Sequence, residues 1–331
     1  MENVNVESCK DVAIVGGASL VGSHLIELLE AERPNWTVTV LDNFRNGVEE
    51  MPPKQIPSSR VKVVYLDVRE PDAVRDALAE KDVVFHMAAL LSMAFPTHPR
   101  EAVEVNILGS LNVVEACCTT KSRLVFSSSS GGVYGCPPFG NVEEVTPFWH
   151  DTLPPGTAMY GSAKILIESV CRDRSVRVGD LEWVALRYTS VFGRRQHRRG
   201  RNTAKLRDNL IRLHRGESAI FDRPALETHD YVHARDVAVA NLLASEITPS
   251  PNRAYTIGAG QSTTNEELDH ILKAVTHSRV PTQWLGEESE MRPNVTFDIS
   301  RANRDLGYTP RVSLEEGITD LYKEIVEGEN G

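Results

Sequence analysis

The chain has 331 residues, 41% of them hydrophobic and 25% charged, with 22 Gly and 18 Pro. That is the composition of an ordinary globular protein of about two domains, and it excludes a disordered, collagenous or peptide-sized chain. Lys and Arg number 36 against 46 Asp and Glu, a formal charge of −10, which argues against nucleic acid or an anionic membrane as the principal partner.

Five cysteines, with Cys117 and Cys118 adjacent, contain no C-x-x-C pair and fit a reducing, cytoplasmic setting better than a disulfide framework. No metal-ligand constellation stands out, the histidines being scattered. Met1–Lys10 lack the apolar core of a secretory leader, and the apolar run Val83–Phe95 is interrupted by His86 and Ser92 and too short to span a bilayer.

From Asp11 onward, short β-branched runs alternate with segments of helical period, the pattern of parallel strands joined by crossover helices. Strands are predicted at Val12–Val15, Thr37–Leu41, Val61–Leu66, Val83–His86, Leu124–Ser128 and Trp183–Tyr188, and their apolar character suits burial on both faces. Helices are predicted to begin near Leu20, Pro71, Pro99 and Thr157. After Tyr188 the regularity breaks at the basic run Gly193–Arg201, GRRQHRRGR, which reads equally as a solvated turn or a phosphate-binding loop.

Val12–Leu25, VAIVGGASLVGSHL, runs from an apolar strand through Gly16, Gly17, Ser19 and Gly22 into an amphipathic helix. Such a junction presents backbone N–H groups and a positive helix end to a pyrophosphate. Asp42 follows Gly22 by twenty residues at the end of the next strand, the distance at which a carboxylate reaches the ribose hydroxyls of adenosine. It would repel a 2′-phosphate, so NAD is favoured over NADP, although Arg45 could offset that repulsion.

Tyr160 and Lys164 lie four residues apart in TAMYGSAKILIESVC and share a helical face. An ammonium beside a phenol, with a pyridinium nearby, is expected to lower the phenol's pKa toward the working pH. Tyr160 could then take a proton from a substrate hydroxyl while hydride leaves the same carbon. Leu124–Gly135, LVFSSSSGGVYG, is an apolar strand that ends in hydroxyls where an open parallel sheet places its ligands.

Together these segments resemble the extended short-chain dehydrogenase/reductase family, in its nucleotide-sugar epimerase and dehydratase branch. The likeness extends to Asn106 in EAVEVNILGSLNVVEACC, to LRYTSVFG at 186–193, DYVHARD at 230–236 and LGYTPRVSLEEG at 306–317. It implies a doubly wound parallel (Rossmann) sheet over residues 1–190, with 229–245 returning to it. A smaller, mixed α/β substrate lobe would occupy 191–331.

By the same resemblance NAD would meet Gly16, Ser19, Leu20, Val21, Gly22, Asp42, Asn43, Asn46, Asp67, Val68, Ala88, Ala89, Asn106, Tyr160 and Lys164. Asn106 corresponds to a structural and proton-relay asparagine. Counting back four from Tyr134 gives Ser130 as the catalytic hydroxyl, with Ser129 as the fallback because the run from Phe126 to Tyr134 is one residue long for the pattern. Substrate would meet Ser190, His229 and Arg292, with Arg194 and Arg195 of the basic loop compensating for a family arginine replaced here by His229. A homodimer through the helices near Pro99 and Thr157 is also implied.

Ser19 departs from the family glycine and puts a Cβ near the phosphate site. Dehydratases and decarboxylases of this branch carry acidic residues just after the catalytic hydroxyl, where this chain has Gly131 and Gly132. The reaction needing only Tyr160 and NAD is 4-epimerisation of a nucleotide sugar, such as a UDP-sugar, through a transient 4-keto sugar. The alternatives are a dehydratase, decarboxylase or reductase of the same family, on a substrate with or without a diphosphate, and a nonenzymatic NAD-binding regulator.

Overall fold

The computed structural model describes residues 9–45, 60–135, 137–138, 140–196, 201–248, 250–290, 292 and 294–329. The predicted βα alternation is present. It runs β1 (Asp11–Val15), α1 (Leu20–Glu32), β2 (Thr37–Asp42), β3 (Val61–Tyr65), α2 (Pro71–Ala77), β4 (Val83–His86), α3 (Ala94–Thr97) and α4 (Pro99–Val103). A π-helical turn over Glu104–Gly109 leads into α5 (Ser110–Thr120), then β5 (Arg123–Ser129), α6 (Ser130–Tyr134), β6 (Asn141–Val142), α7 (Pro155–Asp173) and β7 (Trp183–Tyr188).

The remainder comprises β8 (Ser190–Phe192), α8 (Arg201–His214), β9 (Ile220–Phe221), β10 (Thr228–His229), β11 (Tyr231–His233), α9 (Ala234–Glu246) and β12 (Arg253–Ile257). It closes with β13 (Thr263–Thr264), α10 (Asn265–Thr276), β14 (Gln283–Trp284), β15 (Thr296–Phe297), α11 (Ser300–Leu306) and α12 (Leu314–Glu329).

Seven strands form one parallel sheet in the order β12-β7-β5-β4-β1-β2-β3. The order reverses between β1 and β4, and the crevice at that switch point, outside the carboxyl ends of the strands, is where such sheets bind ligands. The seventh strand, RAYTI, comes from the half of the chain read as substrate lobe. It is a five-residue run bounded by Asn252 and Gly258, too brief to stand out by period.

Each sheet face has its own core. Leu25, Ile26 and Leu29 of α1 pack with Val237 and Ala240 of α9 on one side, and Val113, Val114 and Ile167 of α5 and α7 fill the other. The run Pro99–Thr120 is long and apolar enough, by length and composition alone, to cross a membrane. In the fold its inner face is buried against the sheet. A third core, from Phe192, Leu206, Leu210, Phe221, Leu268 and Ile318, organises the C-terminal lobe.

Candidate functional site

A cleft of about 480 Å³ runs across the switch point from the β2 end to the C-terminal lobe. Gly16, Ser19, Leu20 and Val21 form its floor. Gly16 has φ +82° and lies so close to the Ala88 backbone that a Cβ would overlap it, and a Cβ at Gly22 would strike the Gly17 carbonyl. The chain therefore turns tightly enough to present the start of α1 to the cleft. Gly22 itself does not line it. Ser19 caps α1, its Oγ accepting from Gly22 N–H at 3.2 Å, so the hydroxyl folds onto the helix rather than closing the cleft and keeps its proton to donate.

Asp42, at the end of β2, accepts from Ala18 N–H at 3.0 Å and Phe44 N–H at 2.8 Å. A carboxylate has further lone pairs for hydroxyl donors. Burial raises its pKa against these bonds. Asn43, Val68, Ala88 and Ala89 also line the cleft. Asn46 lies outside the described residues.

Two of the residues expected at the cofactor, Asp67 and Asn106, do not line the cleft. Asp67 is held by Arg69 at 2.6 and 2.9 Å and by Asn43 at 3.2 Å, bonds to Arg69 that lower its pKa to about 2 despite partial burial. Its neighbours Val68 and Arg69 face the cleft instead. Asn106 is buried, accepting from Leu90 N–H and donating to Leu90 C=O, both at 2.8 Å. Asn106 is absent from the cleft lining and bonds the backbone of Leu90, which does line it. Arg45 also lines the cleft and is ion-paired there with Glu101.

Pro155 starts α7, and Tyr160, Lys164 and Glu168 follow at helical spacing on one face. Tyr160 and Lys164 both reach the cleft. Lys164 Nζ donates to Ser127 C=O at 2.7 Å and lies 5.6 Å from the Tyr160 ring centroid. The expected lowering of the phenol pKa does not occur in the protein alone. Burial, reinforced by Tyr188, raises Tyr160 above the ordinary tyrosine range. Burial also lowers Lys164 to about 8, partly offset by Glu168. Desolvation is the larger cause at both groups.

Of the two serines, Ser129 and not the first-ranked Ser130 lines the cleft. Ser130 is fully buried and donates to Arg187 C=O at 2.7 Å, away from the cleft. Ser129 ends β5, caps α6 by accepting from Gly132 N–H at 3.2 Å, and lines the cleft. The extra residue lies beyond β5, so counting from Tyr134 overshoots by one. Behind the serines, Glu168 pairs with Arg187 at 2.6 Å and accepts from Ser128 Oγ at 2.6 Å, and Arg187 reaches Tyr134 OH. A Cβ at Gly131 would meet nothing within 4 Å.

At the other end of the cleft stand Ser190, His229 and Arg292. Burial lowers His229 to about 4, so the ring is neutral at neutral pH, although Glu227 opposes the shift at 3.7 Å. Sequence reasoning missed Glu227 and Asp230, which line the same wall. Glu227 grips Arg223 at 2.5 Å, and Asp230 accepts from Thr189 Oγ1 and the backbone of Ala259 and Gly260. Burial lifts Asp230 to about 6. Asp230 opens the DYVHARD segment, and Glu227 is signalled only by its position near His229.

Arg194 and Arg195 are not free to take a diphosphate. Arg194 faces Glu324 and Glu327 at 3.5 and 3.4 Å, outside the cleft. Arg195 lines the cleft but is bonded to Glu27 and Ser23. Complementary carboxylates on α1 and α12 hold Arg194 and Arg195.

Residues 12–258 match the NAD dependent epimerase/dehydratase family. The chain is 26% identical to the UDP-glucose 4-epimerase of Thermotoga maritima, solved with UDP-glucose. The two superpose with a TM-score of 0.84 over 96% of this chain and 99% of that one. The UDP-glucose 4-epimerase of Thermus thermophilus, solved with NAD, is also 26% identical and gives 0.76 over 96% and 99%. UDP-glucuronic acid decarboxylase 1 of Danio rerio is 28% identical over 316 residues, 93% of this chain and 71% of that protein.

Proposed function

The chain belongs to the NAD dependent epimerase/dehydratase family, and from that premise we propose that it is an NAD-dependent 4-epimerase of a nucleotide sugar, acting on a UDP-sugar through a transient 4-keto sugar. The cleft fits the dinucleotide in its own chemistry: the capped start of α1 offers N–H groups to a pyrophosphate, Asp42 offers a carboxylate to ribose hydroxyls, and Tyr160 and Lys164 stand farther along the same crevice. Bound NAD supplies a hydride acceptor, and in reduced form a donor, at the reacting carbon.

Tyr160, as the phenolate that the positive ring of bound NAD and the Lys164 ammonium would favour, would take the proton of the C4 hydroxyl and return it when the ketone is reduced. Ser129 holds the reacting oxygen, and Lys164 supplies positive charge beside the phenol. One observation carries the choice of epimerisation: the three residues that follow Ser129 are Ser130, Gly131 and Gly132, so no carboxylate stands just after the hydroxyl to drive elimination or decarboxylation. Gly131 opens space in which a keto sugar can turn.

Arg292 and neutral His229 would meet the diphosphate. A homodimer is supported by exposed apolar side chains on the two helical runs named for it, Val103 and Leu108 on one and Met159 and Leu166 on the other. The cytoplasm is the proposed compartment.

Incubating the purified protein with UDP-, dTDP-, GDP- and CDP-sugars and separating the products tests the reading. A C4 epimer formed from a UDP-sugar without net NADH is expected. An unsaturated product, carbon dioxide release or NADH accumulation would favour a dehydratase, decarboxylase or dehydrogenase, a reading the decarboxylase relative keeps open.

A further inference from the structure

Arg195 extends from the loop after β8, in the C-terminal lobe, to the helix that starts the dinucleotide site. Its Nε donates to Ser23 Oγ at 3.0 Å, and its terminal nitrogens grip both oxygens of Glu27, one at 2.8 Å and the other closer. Ser23 in turn donates to Leu20 C=O at 2.9 Å, in the first turn of α1. Leu20 and Val21 of that turn face the cleft, as does Arg195. The contact therefore ends at the turn whose N–H groups would meet a pyrophosphate.

The other side of Arg195 is equally fixed. Its backbone N–H donates to both carboxylate oxygens of Glu324 on α12, at 2.8 and 3.1 Å. Its φ is +65°, a left-handed conformation that a bulky residue keeps only when its surroundings over-determine it. Partial burial would raise the Glu27 carboxyl, yet the bond and charge of Arg195 leave it below its ordinary value. A planar guanidinium with two parallel bonds fixes orientation as well as distance.

We propose that Arg195 and Glu27 form a clasp that holds the C-terminal lobe against α1 and so keeps NAD from leaving between turnovers. A reaction that returns its hydride gains from a cofactor that stays bound, so the inference rests on the function proposed above. Arg195 is a positioning residue here and takes no part in the chemistry.

The test measures NAD release directly, by loading the full-length protein with NADH and following loss of its fluorescence after trapping with excess NAD, with no sugar present. Glu27→Ala lies on a half-exposed helical position where Ala favours the helix, so folding is preserved. It is expected to release NADH about tenfold faster, the effect of losing one bidentate charged contact. Arg195→Lys, which keeps charge but not the fork, should fall between. The exchange Glu27→Arg with Arg195→Glu should slow release below that of either single change.

Release at the parental rate from Glu27→Ala, or an exchanged protein no slower than its single variants, would overturn the clasp while leaving the epimerase reading intact. A protein that retains no NADH at all would overturn both. Retained NADH with altered release, but no epimer from any sugar, would overturn only the reaction.

Discussion

Lys164 lies one helical turn from Tyr160, yet its ammonium donates to Ser127 C=O at 2.7 Å and stands 5.6 Å from the centroid of the Tyr160 ring. The Tyr160 side chain is half-buried at the cleft wall, and desolvation pushes the pKa of its phenol up. In the proposed reaction Tyr160 is the only acid–base group at the reacting oxygen. Tyr160→Phe should lower turnover by about 10²- to 10⁴-fold, the contribution of a positioned proton-transfer group. It should leave NAD binding close to the parental value. Near-normal turnover in a single-turnover assay would remove Tyr160 from the mechanism.

The Lys164 ammonium also makes stability depend on pH. Its folded pKa, lowered to about 8 by burial, is below the ordinary 10.5. Between those values the unfolded chain binds a proton that the folded one does not, so this group makes stability rise with pH across the window. Below pH 8 its full cost is present, on the order of 3 kcal/mol for a shift of this size. Lys164→Met removes that term. Urea unfolding should place the variant's stability highest, relative to the parent, at pH 7, with the advantage declining toward pH 10. Parallel pH profiles would contradict the assignment.

Ser129 and Ser130 are adjacent but separable. Ser130→Ala leaves a buried Arg187 carbonyl without its donor and should cost about 1 kcal/mol of stability. Turnover of the folded protein should hardly change. Ser129→Ala loses a helix cap, a cost of about 1 kcal/mol, and also a donor to the reacting oxygen. Its turnover should drop by about 10²-fold. Thermal melts and kcat measured on both variants separate the roles, and the reverse ranking in kcat would restore Ser130.

The βα alternation and glycine turn are legible in the sequence because strands buried on both faces leave unbroken apolar runs, and because a tight turn leaves few residue choices. Tyr160 and Lys164 are legible only when their helical spacing is joined to the glycine turn and the strand-end serines. The serine is not, since an extra residue between Phe126 and Tyr134 can be absorbed on either side of Ser129. Asn106, Arg194 and Arg195 look like ligands because a sequence records their donors but not the partners. Leu90, Glu324, Glu327 and Glu27 are up to 168 residues away from them. The charge of Lys164 is visible, whereas the desolvation that outweighs it is a property of the packed fold.

Asp42 lines the cleft and Arg45 beside it is ion-paired with Glu101, an arrangement we expect to favour NAD over NADP. Asp42→Ala should weaken NAD binding about tenfold, as expected for loss of charged hydrogen bonds. Adding Glu101→Gln frees the guanidinium for a 2′-phosphate. Titrations with both cofactors should then show NADP binding improved over the parent. NADP binding unchanged in the double variant would mean that other groups discriminate.

Asn106 offers the sharpest distinction between positioning and chemistry. Its amide closes a ring of two 2.8 Å bonds on Leu90, in the segment after β4 where Met87 to Ser92 line the cleft. Asn106→Ala leaves a buried N–H and a buried C=O without partners, at roughly 1–3 kcal/mol each. The melting temperature should therefore fall and NADH should dissociate faster. Asn106→Asp keeps the acceptor for Leu90 N–H but loses the donor to Leu90 C=O, so both effects should be intermediate. A proton-relay residue in contact with substrate predicts the opposite split, with kcat reduced while melting temperature and NADH release stay unchanged. Because the two roles move different observables, a calorimetric melt paired with a release measurement decides between them even if the substrate sugar is not known.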